Sequence, residues 1–252
     1  MRIVAPIILF ALIAFAAPPD PVIESARVQA AQYSQSIPNY IVKRTTTRFH
    51  AMTDRNPDWR QVDTVSAEVA NNNGREVYSD IQIDGKPSKD LPKAGVWSNG
   101  EFSNLLEEVL APKHRAVFKA RTADTRQSRA AWRYDFTIDA KRSGWNMVAD
   151  VGPFRRMYIA PSYSGVIWID QQTGKVLRIE KSTRSTPRRF PLQLIQSSTD
   201  YSPVEIGGET YMLPTHSETI TCRRDKTECL RNETLFENYR KFEADATITY
   251  EK

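Results

Sequence analysis

The chain is poor in the residues with which enzymes and metalloproteins are usually equipped. Its 252 residues include two cysteines and three histidines. His50, His114 and His216 stand on separate segments, without the i, i+4 or H-x-H spacing that would bring two ligands to one metal. There is no G-x-S-x-G elbow, no P-loop and no H-E-x-x-H. Asp80/Asp84 and Asp135/Asp139 are carboxylate pairs on the polar sides of strand-like segments, where solvated charge is the ordinary reading and acid–base work the exceptional one. These absences leave no basis for a catalytic residue, a metal or a cofactor, and the expectation is a protein that is not an enzyme. Beyond residue 16 no apolar run approaches the roughly 20 residues of a membrane-spanning helix.

What is present begins with MRIVAPIILFALIAFA. One cation (Arg2), an apolar run from Ile3 to Ala16 and the small-x-small end Ala14-Phe15-Ala16 have the form of a secretory signal peptide over residues 1–16. No cysteine follows it for lipid attachment. The expectation is a cleaved, periplasmic or secreted protein spanning 17–252 as a single domain, with an uncleaved N-terminal anchor as the alternative. Loss of Arg2 lowers the formal charge from +5 to +4, a mild basic excess far from a nucleic-acid-binding signature. In an oxidising compartment, Cys222 and Cys229 on either side of Arg-Arg-Asp-Lys-Thr-Glu read as a hairpin disulfide. Closing so short a loop stabilises by roughly 2–3 kcal/mol.

Helical patterning is confined to two places. Asp20 caps a helix with Pro21 at its first position, and Val22, Ala26, Ala30 and Tyr33 recur at helical spacing. Ser98 and Glu101 form a capping box before an apolar face of Phe102, Leu105, Leu106, Val109 and Leu110, stopped by Pro112. Nearly all the rest alternates with a period of two. Tyr40 to Phe49 is followed by a strand over about 60–70 whose parity slips between Val62 and Val65, a bulge signal. Val77, Ile81 and Ile83 alternate with polar residues, and Trp132, Tyr134, Phe136 and Ile138 form the cleanest strand. Gly165–Asp170 and Lys175–Lys181 are joined by a Gln-Gln-Thr-Gly turn. Further short strands follow, the last at 246–251, and a basic loop with Arg184, Arg188 and Arg189 precedes Pro191. The spacing predicts a mainly β, α+β protein: a curved antiparallel sheet of about 10–11 strands with an N-terminal helix and a second helix as a lid.

Such a meander either closes into a barrel or curves around its helices. In the second case Phe102, Leu105, Leu106 and Val109 form the underside of a lid. Trp132, Tyr134, Phe136 and Ile138 then line the wall of an apolar cavity. The same residues equally make a filled core, and both readings stay open on the sequence.

Pro38-Asn39-Tyr40, the Ser98–Phe102 helix start, the Gly165–Gly174 hairpin, Tyr211-Met212-Leu213-Pro214 and Asn238-Tyr239-Arg240-Lys241-Phe242 together form one pattern. It resembles a group of exported proteins common in Acidobacteria, which is itself similar to the periplasmic lipoprotein-carrier (LolA/LolB-like) superfamily. That resemblance implies an unclosed half-barrel with helices over an apolar concavity where acyl chains bind. No functional residue of the carriers maps onto a position here. The implied function is a periplasmic binder of an amphiphile, either a lipid or a lipidated protein. The alternative is an envelope interaction or scaffold module that binds a protein or anionic polymer without a cavity. Neither reading involves nucleic acid or a stable membrane anchor.

Overall fold

The computed structural model of the protein describes residues 20–72, 75–92, 104–152, 155–224 and 228–242. The expected signal peptide, the Ser98/Glu101 capping box, Phe102 and the 246–251 strand lie outside them.

Helix α1 spans Pro21–Ser36, and the Asp20 side chain accepts from the Val22 N–H, as the Asp-Pro start requires. The strands follow in order: β1 Tyr40–Ala51, β2 Arg60–Asn72, β3 Arg75–Ile83 and the two-residue β4 Lys86–Pro87. Helix α2, Asn104–Leu110, precedes β5 Val117–Phe118, β6 Thr122–Arg126 and β7 Arg129–Ile138. Then come β8 Met147–Gly152, β9 Arg155–Ile159, β10 Tyr163–Asp170 and β11 Val176–Thr183. Three long strands end the described chain: β12 Leu192–Ile206, β13 Glu209–Arg223 and β14 Cys229–Lys241.

Eleven strands form one open antiparallel sheet in the order β4-β3-β2-β1-β14-β13-β12-β11-β10-β7-β5, with β6 also paired to β7. Its ends do not meet, so the sheet is unclosed. First and last long strands are neighbours, Thr46 lying opposite Thr234. Strands β8 and β9 pair only with each other.

Both helices pack on one face of the β7–β13 part of this sheet. Ile23 and Ala26 of α1 and Leu105, Leu106, Val109 and Leu110 of α2 share a buried cluster with Tyr134, Phe136, Ile167, Leu177 and Ile179. Lys181 Nζ of β11 pairs with Glu108 Oε2 of α2 at 2.6 Å on this inner face. A second cluster joins Tyr40, Val42, Val69, Leu213 and Phe236 where β1, β2, β13 and β14 run side by side. Gly165 permits a close approach between β10, β11 and the Phe136 ring. A Cβ there would lie 2.0 Å from the Glu180 carbonyl oxygen and 2.5 Å from Phe136 Cζ.

The disulfide joins Cys222 to Cys229 across the β13–β14 hairpin, with Cα atoms 4.1 Å apart. The bulge expected near Val62 is present. Arg48 faces Asp63 while Phe49 faces Gln61, which leaves Val62 unpaired and 55% exposed. The β3 alternation is corrected by a second bulge. Ser66 pairs with Gln82 but Glu68 pairs with Ser79, and Asp80 takes a positive φ of 49°. The extra residue reverses the parity, so Tyr78 turns inward opposite Val69 and Val77 is 51% exposed.

Candidate ligand-binding cleft

Leu105 and Leu106 are each 5% exposed and Val109 is 0% exposed, all three on the face of α2 that meets the sheet. Tyr134, Phe136 and Ile138 are each 1% exposed in the same cluster, and half-buried Trp132 packs at its border. Arg121 lies over the Trp132 ring, with Cζ 4.6 Å from its centroid. The sequence-expected lid and wall therefore meet each other, with α1 packed alongside them.

One of these residues, Leu106, also faces open space. A cleft of about 250 Å³ lies between α1 and the ends of β11, β12 and β13. Ala26, Ala30 and Tyr33 line it from the helix, Leu106 from α2, and Val176, Tyr201 and Met212 from the sheet. The α1 spacing of small alanines is what leaves room there. Large side chains at positions 26 and 30 would close the gap between helix and strands. Gln29, Gln32, Ser36, Lys175 and Thr210 add polar side chains to the lining, so the cleft is apolar with a thin polar border.

Its chemistry centres on Tyr33. The Tyr33 hydroxyl is shut off from solvent and finds no hydrogen-bond partner among the described residues. Burial, and behind it the phenols of Tyr201, Tyr40 and Tyr239, pushes its pKa well above the ordinary tyrosine value. Tyr33 is therefore a neutral donor at any physiological pH. Its neighbours are otherwise engaged: Asn71 donates to Tyr40 Oη at 3.1 Å, and Tyr239 donates to the Pro214 carbonyl at 2.5 Å. A buried donor without an acceptor is costly, and a ligand oxygen placed there would remove that cost.

The mouth is held by the β10–β11 turn. Asp170 Oδ1 accepts from the N–H groups of Gln172 and Thr173, at 3.0 and 2.7 Å, and from the Thr173 hydroxyl at 2.8 Å. Gln29 of α1 donates to the Thr173 carbonyl at 3.2 Å, which ties the helix to the turn beside Lys175. Gly174 takes φ +68° under this contact, and a Cβ there would meet Gln29 Nε2 at 2.7 Å. The sequence showed the α1 stripe and the Gly-ended turn, but not that they border the same opening. A tyrosine ending a stripe of alanines was the available signal.

No group of three or more His, Cys, Asp or Glu side chains that would hold a metal occurs among the described residues. Among them, no helix is long and apolar enough to cross a membrane.

No protein-family profile and no curated relative matches the chain. Several solved structures resemble it at low identity. A DUF1329 family protein from Desulfovibrio piger is 12% identical, with a TM-score of 0.39, over 92% of this chain and 96% of its own. A LolA superfamily protein from Nitrosomonas europaea is 10% identical, with a TM-score of 0.35, over 91% of this chain and 96% of its own.

Proposed function

We propose that the protein is an exported, periplasmic, non-enzymatic carrier that holds the acyl chain of a lipid or lipidated protein in the cleft beneath α1. The observation that carries this reading is an apolar opening lined by Tyr33, whose buried hydroxyl has no hydrogen-bond partner among the described residues. An acyl chain gains from apolar burial against Ala30, Leu106, Val176 and Met212, about 25 cal/mol per Å² removed from water. A carboxyl or ester oxygen would accept a hydrogen bond from the Tyr33 hydroxyl, and Lys175 at the polar border favours an anionic head. The lid-and-wall residues Leu105, Val109, Trp132, Tyr134, Phe136 and Ile138 act in this reading as the packed floor. A longer chain would reach them only by displacing α2.

The test is uptake of a fluorescent fatty acid by the purified mature protein, with native mass spectrometry of material extracted from the envelope. Ala30→Trp fills the cleft from half-buried helix surface and should abolish uptake while the protein stays folded. Tyr33→Phe should weaken uptake about fivefold. Leu106→Arg places a charge in the cleft and should also block uptake. Folded wild-type protein that carries no lipid and takes up none would sink the proposal.

A second reading, docking of an envelope protein, has its own observation. Val148 and Tyr158 face each other across the isolated β8–β9 pair and are 54% and 74% exposed. A two-stranded pair with apolar residues turned to solvent is a surface that gains from being covered. A pull-down that loses its partner on Tyr158→Ser, while fatty-acid uptake is unchanged, would favour this reading.

A further inference from the structure

The opposite face of the sheet carries a second opening that the acyl-carrier reading does not use. Strand register places Asp135, Val166, Glu180, Ser198 and Glu218 in one row across β7, β10, β11, β12 and β13. The next row is Thr137, Ser164, Ser182, Gln196 and Ile220. Both rows line a groove of about 470 Å³. These positions alternate with the inward Tyr134, Phe136, Ile167 and Ile179, so the groove and the cleft open on different faces.

Ser198 is the informative residue. It is 8% exposed, it lines the groove, and its hydroxyl finds no hydrogen-bond partner among the described residues. A buried hydroxyl in that state calls for a partner that enters the groove.

The surroundings limit what that partner is. Each carboxylate is already held by a cation. Arg133 lies 2.7 Å from Asp135, Arg178 lies 2.7 Å from Glu180, and Arg231 lies 2.7 Å from Glu218. Lys119 approaches Asp135 to 3.8 Å. The charges offset one another, so neither an anion nor a cation is selected by the local field. With Val166 and Ile220 as the apolar side chains on the two rows, burial alone would not hold an acyl chain. What the groove offers in quantity is hydroxyls, an amide and carboxylate lone pairs at close spacing, donors and acceptors together.

We propose that this groove is a second binding site, for an uncharged, polyhydroxylated ligand of about disaccharide size. Ser198 and Gln196 would supply hydrogen bonds from the floor, and Glu180 would accept from ligand hydroxyls while Arg178 keeps it oriented.

The test is a two-dimensional amide NMR titration of the full mature protein with cellobiose, maltose and N,N′-diacetylchitobiose as probes. The expected result is saturable shifts at Ser182, Gln196 and Ser198 with at least one of them. Ser198→Ala should then weaken binding about tenfold. Gln196→Ala, an exposed change that spares the fold, should weaken it as well. Fatty-acid uptake should be unchanged in both variants, so failure here and failure of the carrier reading are distinguishable. The proposal is overturned if no probe gives a saturable shift up to its solubility limit. It is equally overturned if both variants bind like the wild type, or if spermine or a polyphosphate binds this face more tightly than every sugar.

Discussion

Lys181 Nζ lies 2.6 Å from Glu108 Oε2 and 4.3 Å from the centroid of the Trp145 ring, on the face of the sheet that α2 covers. The Lys181 side chain is 7% exposed and that of Glu108 18%. A pair so shielded adds little net stability, because desolvation offsets most of its attraction, but removing one partner leaves a buried charge. Its role is positional. It sets where α2 sits on β11, and through Leu106 it sets one wall of the cleft.

Lys181→Met should therefore destabilise the protein by about 3 kcal/mol, and Glu108→Gln by somewhat less because the Gln amide oxygen can still accept from Lys181 Nζ. The double variant should recover much of the loss. Urea unfolding of the four proteins measures this directly. Strictly additive effects would mean that the two side chains do not depend on each other.

A second prediction concerns Asp170, whose side chain is 2% exposed at the turn that borders the cleft. Burial by itself would raise its pKa. The Thr173 N–H and hydroxyl, together with Arg129 Nε at 2.7 Å, outweigh burial and hold the carboxyl below its ordinary value. A depressed folded pKa means stability that is present above the unfolded value of about 3.9 and is lost as the pH falls through the folded one. Melting temperature should thus drop on the acid side, between about pH 5 and pH 2, and the drop should be shallower in Asp170→Asn. Asp170→Ala should cost about 2 kcal/mol at neutral pH through the lost turn bonds. An acid limb identical in Asp170→Asn and wild type would show that the carboxylate plays no part.

Much of the architecture was legible because local pattern and tertiary environment agree. The Trp132–Ile138 alternation is a strand with one covered face, Asp20-Pro21 starts α1, and the Cys222–Cys229 pair spans a hairpin. Where they disagree, the pattern misleads. Asp80 adds a residue to β3 and reverses the side on which Val77 falls. Proline is unfavourable within a sheet, yet β12 and β13 run through Pro203 and Pro214. The β11 pairing reaches only Asp200, and the β14 pairing begins at His216. Each proline therefore sits where its strand has a neighbour on one side only and its missing N–H is not needed. The cleft was illegible for a different reason. It depends on how far α1 stands from β13, a distance that no local spacing encodes.

The last prediction is the titration of His216. Its Nδ1 lies 3.4 Å from Asp200 Oδ2 and its Nε2 3.5 Å from Glu233. Asp200 also receives Arg126 at 3.0 Å and a close contact from Arg178. The hydrogen bond to Asp200 raises the imidazole pKa most. Partial burial opposes it, and the charges of Asp200 and Glu233 add to the rise. A raised folded pKa places the stabilisation at low pH. It is fully present below the unfolded value of about 6.5 and is lost as the pH climbs through the folded one. The protein should accordingly lose stability on going from about pH 6 to pH 8, and His216→Gln should flatten that slope. In an NMR titration the His216 ring should change above pH 6.5 in the wild type. Asp200→Asn should bring it down further than Glu233→Gln does, because the Asp200 carboxylate both bonds and attracts the ring. A His216 midpoint at or below the ordinary value in the wild type would mean that the Arg126 and Arg178 guanidiniums, not the imidazole, already satisfy Asp200.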